Sequence, residues 1–164
     1  VDCSYTPGIN WNTSLGRSKG SMGSDYSSVS ESAQIIKGSD NKGSLLEVPM
    51  TTRTRNVWIS QPGRGLRGIA SSVYHFLKGK QMWFRPMNDN LNDIKKLISL
   101  ERESDYLMFM IHSSELMPGG SPKFKTKESV EELYDVITEI FEIVSKTHEG
   151  CTLREYAEIY KDGE

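Results

Sequence analysis

The chain is poor in cysteine and has no excess of either charge. Its two cysteines, Cys3 and Cys151, lie in no Cys-x-x-Cys pair and beside no histidine at metal-ligand spacing, which leaves no cysteine-based metal motif. A Cys3–Cys151 disulfide is open, but two buried thiols are the simpler expectation. The compartment stays undetermined, with a slight preference for the cytoplasm. Lys and Arg number 20 against 22 Asp and Glu, a net charge of -2, so no field draws in nucleic acid or an anionic membrane. No apolar run approaches the ~20 residues of a membrane span, and nothing at the start has the form of a signal peptide. The chain opens at Val1 as if already inside a strand, as a processed, truncated or incomplete chain would. Also missing are a His-x-x-x-His, an Asp-Asp pair, a cysteine cluster and any internal repeat, so the chain shows no recognisable metal site of its own.

What is present fits one domain with a real core, since 164 residues suffice to bury one. Val1 to Tyr5 reads as the tail of a strand stopped by Thr6-Pro7-Gly8. A long irregular loop follows, at about residues 9–44, with ten serines and five glycines between Thr13 and Ser44; such a stretch is a functional loop or disorder. Leu45 to Thr52 reads as a second strand, with Pro49 marking an edge, bulge or end. Leu66, Ile69, Ala70, Val73, Phe76 and Leu77 recur at helical spacing, and Gly79 stops that helix. Gln81 to Arg85 is a third strand, ended by Pro86. Asn90 caps a helix striped by Leu91, Ile94, Leu97 and Ile98. The longest helix runs over about 127–147, and Thr152 with Glu155 makes a capping box for a short last one. Strands alternating with helices predict an α/β fold with parallel strands. Four strands and four helices make part of a barrel, not a whole one.

The most telling stretch is Tyr106 to Ile111, six apolar or aromatic residues that run directly into His112. A short run without alternation, closed by Pro118-Gly119-Gly120, is the pattern of a parallel strand buried on both faces. In such folds chemistry gathers where strands end, so His112 is either a general acid or base or a hydrogen-bonded core histidine. Ser113 and Glu115 beside it suggest a triad. Adjacent residues of an extended chain point to opposite sides, however, and the Gly-x-Ser-x-Gly elbow is absent.

Other constellations are weaker. His75 and His148 sit near helix C-termini, where a surface or dipole-paired histidine is the ordinary finding. Gly63, Gly65 and Gly68 form a Gly-x-Gly-x-x-Gly, but it follows Pro62 instead of a clean strand and lacks the acidic residue about 20 positions on. That leaves a small nucleotide-binding protein as the weakest alternative. Arg85 either orients a carboxylate or phosphate or is a surface arginine. Trp11, Tyr26, Trp58 and Trp83 offer a sugar-stacking surface, although core packing claims at least two of them.

Taken together, Phe109-Met-Ile-His-Ser-Ser-Glu-Leu-Met-Pro-Gly-Gly-Ser-Pro-Lys-Phe124 resembles the C-terminal signature of bacterial polysaccharide deacetylases of the NodB-homology superfamily. The resemblance extends to Leu133-Tyr134 and Thr152-Leu-Arg-Glu155. Earlier pieces agree in order: Val1-Asp-Cys-Ser-Tyr-Thr-Pro-Gly8 with Trp11, Asp25-Tyr-Ser27, Leu45-Leu-Glu-Val-Pro-Met-Thr51 and Trp83-Phe-Arg-Pro86. It implies the C-terminal part of a distorted (β/α) barrel and a hydrolase that removes acetyl groups from a sugar or polysaccharide. It also implies a divalent metal, zinc foremost, held by an Asp and a His-x-x-x-His, with a second Asp as base. All of these are expected upstream of Val1, so a missing N-terminal half becomes an implied partner and residues 1–164 one domain fragment, inactive alone. His112 matches the family's general acid or oxyanion stabiliser, although Ser113 stands where many members have Asp. Asp25 and Trp11 fall roughly where the supporting Asp and Trp belong, and Arg85, Ser113 and Glu115 join them as supporting or substrate-binding candidates. A glycan-binding relative without catalysis is the other reading.

Overall fold

The computed structural model describes residues 1–14, 23–38, 43–56, 65–87 and 89–162, apart from the side chains of Thr13, Ser14, His75 and Asp162. In chain order the elements are α1 (Trp11–Ser14), β1 (Gln34–Lys37), β2 (Ser44–Glu47), β3 (Thr52–Arg55), α2 (Gly65–Lys78) and β4 (Lys80–Trp83). Then come α3 (Leu91–Leu100), a 3-10 turn at Ser113–Leu116, α4 (Lys127–Val144) and α5 (Leu153–Asp162).

Helical spacing builds the main core. Ile94, Leu97 and Ile98 fall on one face of α3, and with Ile140 of α4 they close over Met82 and Phe84. Leu107 and Phe109 pack against the same cluster. Ion pairs rim it: Lys80 Nζ lies 2.6 Å from Asp93 Oδ2, and Lys95 of α3 pairs with Glu139 of α4. Two smaller clusters flank it. Leu46, Val48 and Ala157 gather Ala33, Ile35, Tyr106, Met108, Tyr156 and Tyr160, while Phe124, Val130 and Leu133 gather Ile111, Leu116 and Ile137.

Both later helices start on reciprocal caps. Thr126 Oγ1 accepts the Ser129 N–H at 3.2 Å while Ser129 Oγ accepts the Thr126 N–H at 3.1 Å. Thr152 and Glu155 form the expected box, with the Thr152 N–H on Glu155 Oε2 at 2.7 Å and the Glu155 N–H on Thr152 Oγ1 at 3.3 Å. Asn90 departs from expectation. It stands at the N-cap of α3 but makes no side-chain cap bond; its amide turns back to take the Met87 N–H and to donate to the Arg85 carbonyl, each at 2.8 Å.

The expected parallel sheet and part-barrel are overturned. Among the described residues the strands form two two-stranded antiparallel sheets, β1–β2 and β3–β4. Gln34 pairs with Glu47 and Lys37 with Ser44 in one, Thr52 with Trp83 and Arg55 with Lys80 in the other. Among the described residues parallel pairing is confined to an isolated bridge, Asp2 to Glu47. Two physical causes stand behind the difference. The long irregular loop contains Ile35 and Ile36, enough apolar surface for a strand, and a short connection returns it on itself as a hairpin, which only antiparallel pairing allows. Pro49 cannot donate to a ladder, so the expected strand over 45–52 breaks into β2 and β3, and each half takes its own antiparallel partner.

Three further expectations fail. The apolar stripe of α2 is not a core stripe: Leu66 is 85% exposed, and Ile69, Phe76 and Leu77 are also exposed. The cysteines are both free, but Cys151 is exposed and Cys3 only half-buried. Tyr106 to His112 forms no ladder, and every residue from Tyr106 to Ile111 is half-buried instead of enclosed. Among the described residues the run's central N–H groups are bonded along one edge, Met108 N–H on Thr51 Oγ1 at 2.8 Å and Met110 N–H on the Phe84 carbonyl at 3.2 Å.

Candidate functional site

The apolar run delivers His112 to the surface. Its backbone is extended, with φ -91° and ψ 138°, immediately before the 3-10 turn. Glu115, in that turn, is 4% exposed and reaches back to fix the histidine's main chain. The His112 N–H donates to Glu115 Oε2 at 3.1 Å, and the Glu115 N–H donates to the His112 carbonyl at 2.9 Å. The other carboxylate oxygen, Oε1, accepts Arg85 Nη2 at 2.7 Å. Burial alone would push the Glu115 carboxyl up, but the His112 N–H and the Arg85 guanidinium outweigh it and hold the group below its ordinary value. Asn90 in turn holds the Arg85 carbonyl. The imidazole of His112 stays exposed while its backbone is pinned. A proton donor needs that combination, because its ring must reach a substrate from a fixed base.

Arg85 and Glu115 therefore support His112 and are committed to each other. Arg85 Nε is buried with no partner, a polar group left over by that geometry. Ser113 is exposed beside His112. No hydrogen bond joins its side chain to either His112 or Glu115 among the described residues, so no triad forms.

Among the described residues neither Trp11 nor Asp25 bonds to His112. The Trp11 indole N–H donates to Thr6 Oγ1 at 2.9 Å, and its ring meets Trp83 edge-on with centroids 5.9 Å apart. Both tryptophans stay half-buried. Trp83 closes β4 and Arg85 lies two residues beyond it, which ties the aromatic pair to the same strand end as the Arg85–Glu115 brace. Asp25 is exposed; it accepts Asn10 Nδ2 at 2.7 Å and the Ser27 N–H at 2.9 Å, and the Ser27 bonds hold its carboxyl below the ordinary value. The Tyr26 ring meets Tyr5 at a tilt of 36°, with centroids 5.1 Å apart. Trp58 lies outside the described residues.

Of the remaining candidates, Gly65 opens α2 and Gly68 is inside it, so neither lies in a phosphate-cradling loop; Gly63 lies outside the described residues, as does the side chain of His75. His148 is held by its surroundings, Nδ1 at 2.9 Å from Thr147 Oγ1 and Nε2 at 3.2 Å from the Ser104 carbonyl. Among the described residues no group of three or more His, Cys, Asp and Glu side chains could hold a metal ion. The residues present do not fit the divalent metal as a site of their own. No helix among them is long and apolar enough to cross a membrane. Compared with family models, curated proteins and solved structures, the chain matches none.

Two features escaped the sequence reading. Arg53 and Arg55 of β3 converge on Glu31 and Glu101: Arg53 Nη2 is 2.9 Å from Glu101 Oε2, and Arg55 Nη2 is 3.0 Å from Glu31 Oε2. A polar cavity of about 240 Å³ adjoins them, lined also by Glu103, Asp105 and Tyr106. Each arginine already has its acid, so the cluster reads as a brace between β3 and the loops over it. Its only sequence signal was the alternation Thr52-Arg-Thr-Arg55 opposite an isolated Glu31. Glu47 is wholly buried; one oxygen takes the Tyr5 N–H at 2.8 Å and the other has no partner. Burial raises its carboxyl, the Tyr5 bond opposes this, and the neighbouring Asp2 adds to the rise. A lone Glu inside the apolar stretch Leu45 to Val48 was the available signal.

Proposed function

We propose that the chain carries the proton-donating side of a carbohydrate deacetylase site, with His112 as the donor. The observation that carries this reading is an exposed imidazole at the end of the apolar run, with its main chain pinned by the buried Glu115 and, through it, by Arg85. The resemblance of Phe109 to Phe124 to the NodB-homology signature supplies the substrate class, an acetylated sugar or polysaccharide. In the reaction water adds to the acetyl carbonyl, its proton passing to solvent, and the anionic tetrahedral intermediate then loses its C–N bond, or C–O bond in an ester. His112 protonates the departing nitrogen or oxygen as that bond breaks, acetate leaves, and the imidazole takes a proton back from solvent. No step is assigned to a metal, since the described residues do not form a site for one.

The test is His112→Ala in the full-length protein, read as acetate release from acetylated oligosaccharides with zinc supplied. Loss of a general acid lowers the rate by about 10²–10⁴. Activity within a few-fold of the parent would remove His112 from the mechanism.

A non-catalytic glycan-binding reading is favoured by one observation, the half-exposed Trp11–Trp83 pair, whose ring edges and faces suit the apolar faces of a sugar. It expects oligosaccharide binding that Trp11→Ala weakens and His112→Ala leaves alone, with no acetate released.

A further inference from the structure

The run Tyr106 to His112 is bonded along one edge only. Its even-numbered residues face inward: the N–H groups of Met108, Met110 and His112 go to Thr51, Phe84 and Glu115. In an extended chain successive N–H and C=O groups alternate sides, so Leu107, Phe109 and Ile111 direct theirs to the opposite edge. Among the described residues those three make no backbone hydrogen bond. Three donors and three acceptors thus lie unpaired along a run that is half-buried, apolar and uncharged. A chain protects such an edge with charge, proline or a bulge, and Leu107 to Ile111 has none of these.

We propose that this edge pairs with the same edge of a second copy of the chain, antiparallel and centred on Phe109. The sequence is self-complementary in that register. Phe109 faces the partner's Phe109, Leu107 faces the partner's Ile111, and Met108 faces the partner's Met110, so every pair is apolar and no charge is brought against another. Leu107, Phe109 and Ile111 fall at the hydrogen-bonded positions, where each free N–H meets a free carbonyl. The two-fold axis makes the contact isologous and closed, which limits it to a dimer. Beyond the ladder, His112 comes opposite the partner's Tyr106, so pairing also stiffens the strand end that presents the imidazole. This inference does not depend on the catalytic reading.

Sedimentation and light scattering across micromolar to millimolar concentrations test it, together with amide exchange at single residues. The expected result is a monomer–dimer equilibrium in which the amides of Leu107, Phe109 and Ile111 become protected as the dimer fills. Those of Met108 and Met110 are bonded within each chain and change little. Met110→Lys places a charge on the edge in both copies, and Met110 belongs to none of the three core clusters. It should weaken dimerisation about tenfold or more. A chain that stays monomeric throughout, or that assembles beyond a dimer, overturns the proposal. So does a dimer in which the three odd-numbered amides exchange as fast as in the monomer, a reading taken on the unmodified chain and independent of how the lysine variant folds.

Discussion

Glu115 holds two groups that matter to His112, the histidine's own N–H and the Arg85 guanidinium. Its side chain is 5% exposed against 23% for Arg85, so the pair lies between the surface case, where an ion pair contributes almost nothing, and the fully enclosed case, where losing one partner costs about 3–5 kcal/mol. Glu115→Gln keeps the shape and removes the charge, and leaves one acceptor oxygen for two donors, the His112 N–H and Arg85 Nη2. It should lower stability by about 1–2 kcal/mol at neutral pH. The pH dependence follows from the depressed carboxyl. A group whose folded value lies below its unfolded value contributes its full stability above the unfolded value and loses it as pH falls through the folded one. Urea unfolding of the parent and the variant at pH 7 and at pH 3 checks this: the gap should be full at the first and smaller at the second. An equal gap at both would mean that the carboxylate charge is not what holds Arg85. At this scale His112, Ser113 and Glu115 were legible in the sequence as neighbours and Arg85 as a separate candidate, but the meeting of Arg85 with Glu115 was not. Nor was their division of labour. Nothing in the order of residues says that Glu115 turns inward and takes Arg85 from any ligand.

Helices followed the sequence in extent more closely than in the face they bury. In α4 Val130, Leu133 and Ile140 are buried while Tyr134 and Phe141 of the same helix are exposed, and the helix starts on a cap at Thr126. The Thr126 hydroxyl satisfies an N–H that the first turn cannot bond internally. Thr126→Ala should therefore cost about 1 kcal/mol, and Thr126→Ser almost nothing. Thermal unfolding of the two variants side by side checks the cap: equal losses in both would assign the effect to the threonine methyl instead. The strands were less legible because a strand needs a partner distant in sequence, and periodicity does not name it. Ile35 and Ile36 were hidden in serine and glycine, and β1 exists because Leu45 and Leu46 lie across from them. Asn90 shows the same limit in a helix, since its amide is taken by Met87 and Arg85 before it can cap. The stripe of α2 has the right spacing and no core to face among the described residues, because amphipathicity specifies a face and not what covers it.

At the scale of the molecule, the three core clusters are unequal, and that inequality orders local stability. The cluster of α3, α4 and β4 has fully enclosed members: Ile94, Leu97 and Ile140 are each 0% exposed. Helix–helix contact there is reinforced by the Lys95–Glu139 pair. The cluster of Leu46, Val48 and Ala157 is completed mainly by half-buried tyrosines from α5 and by the β1–β2 hairpin. An isolated two-stranded ribbon is marginal by itself, and an exposed ten-residue helix such as α5 gains its stability chiefly from the face it docks. Local opening should therefore release α5 and the hairpin while α3 and α4 stay closed. Native-state amide exchange at rising denaturant resolves the two. The amides of Leu97, Ile98 and Ile140 should open only with global unfolding and follow its full denaturant slope. Those of Ile35, Leu46 and Ala157 should open at lower free energy and shallower slope, joining the global curve near the midpoint. Ile140→Ala then supplies an internal control, because it empties space between α3 and α4 at a cost of about 2–5 kcal/mol. It should lower the first group by that amount and leave the local openings of the second unchanged until the two curves meet. If both groups fall together from the start, α5 and the hairpin are one cooperative unit with α3 and α4, and the molecule is bound together by contacts stronger than its half-buried tyrosines.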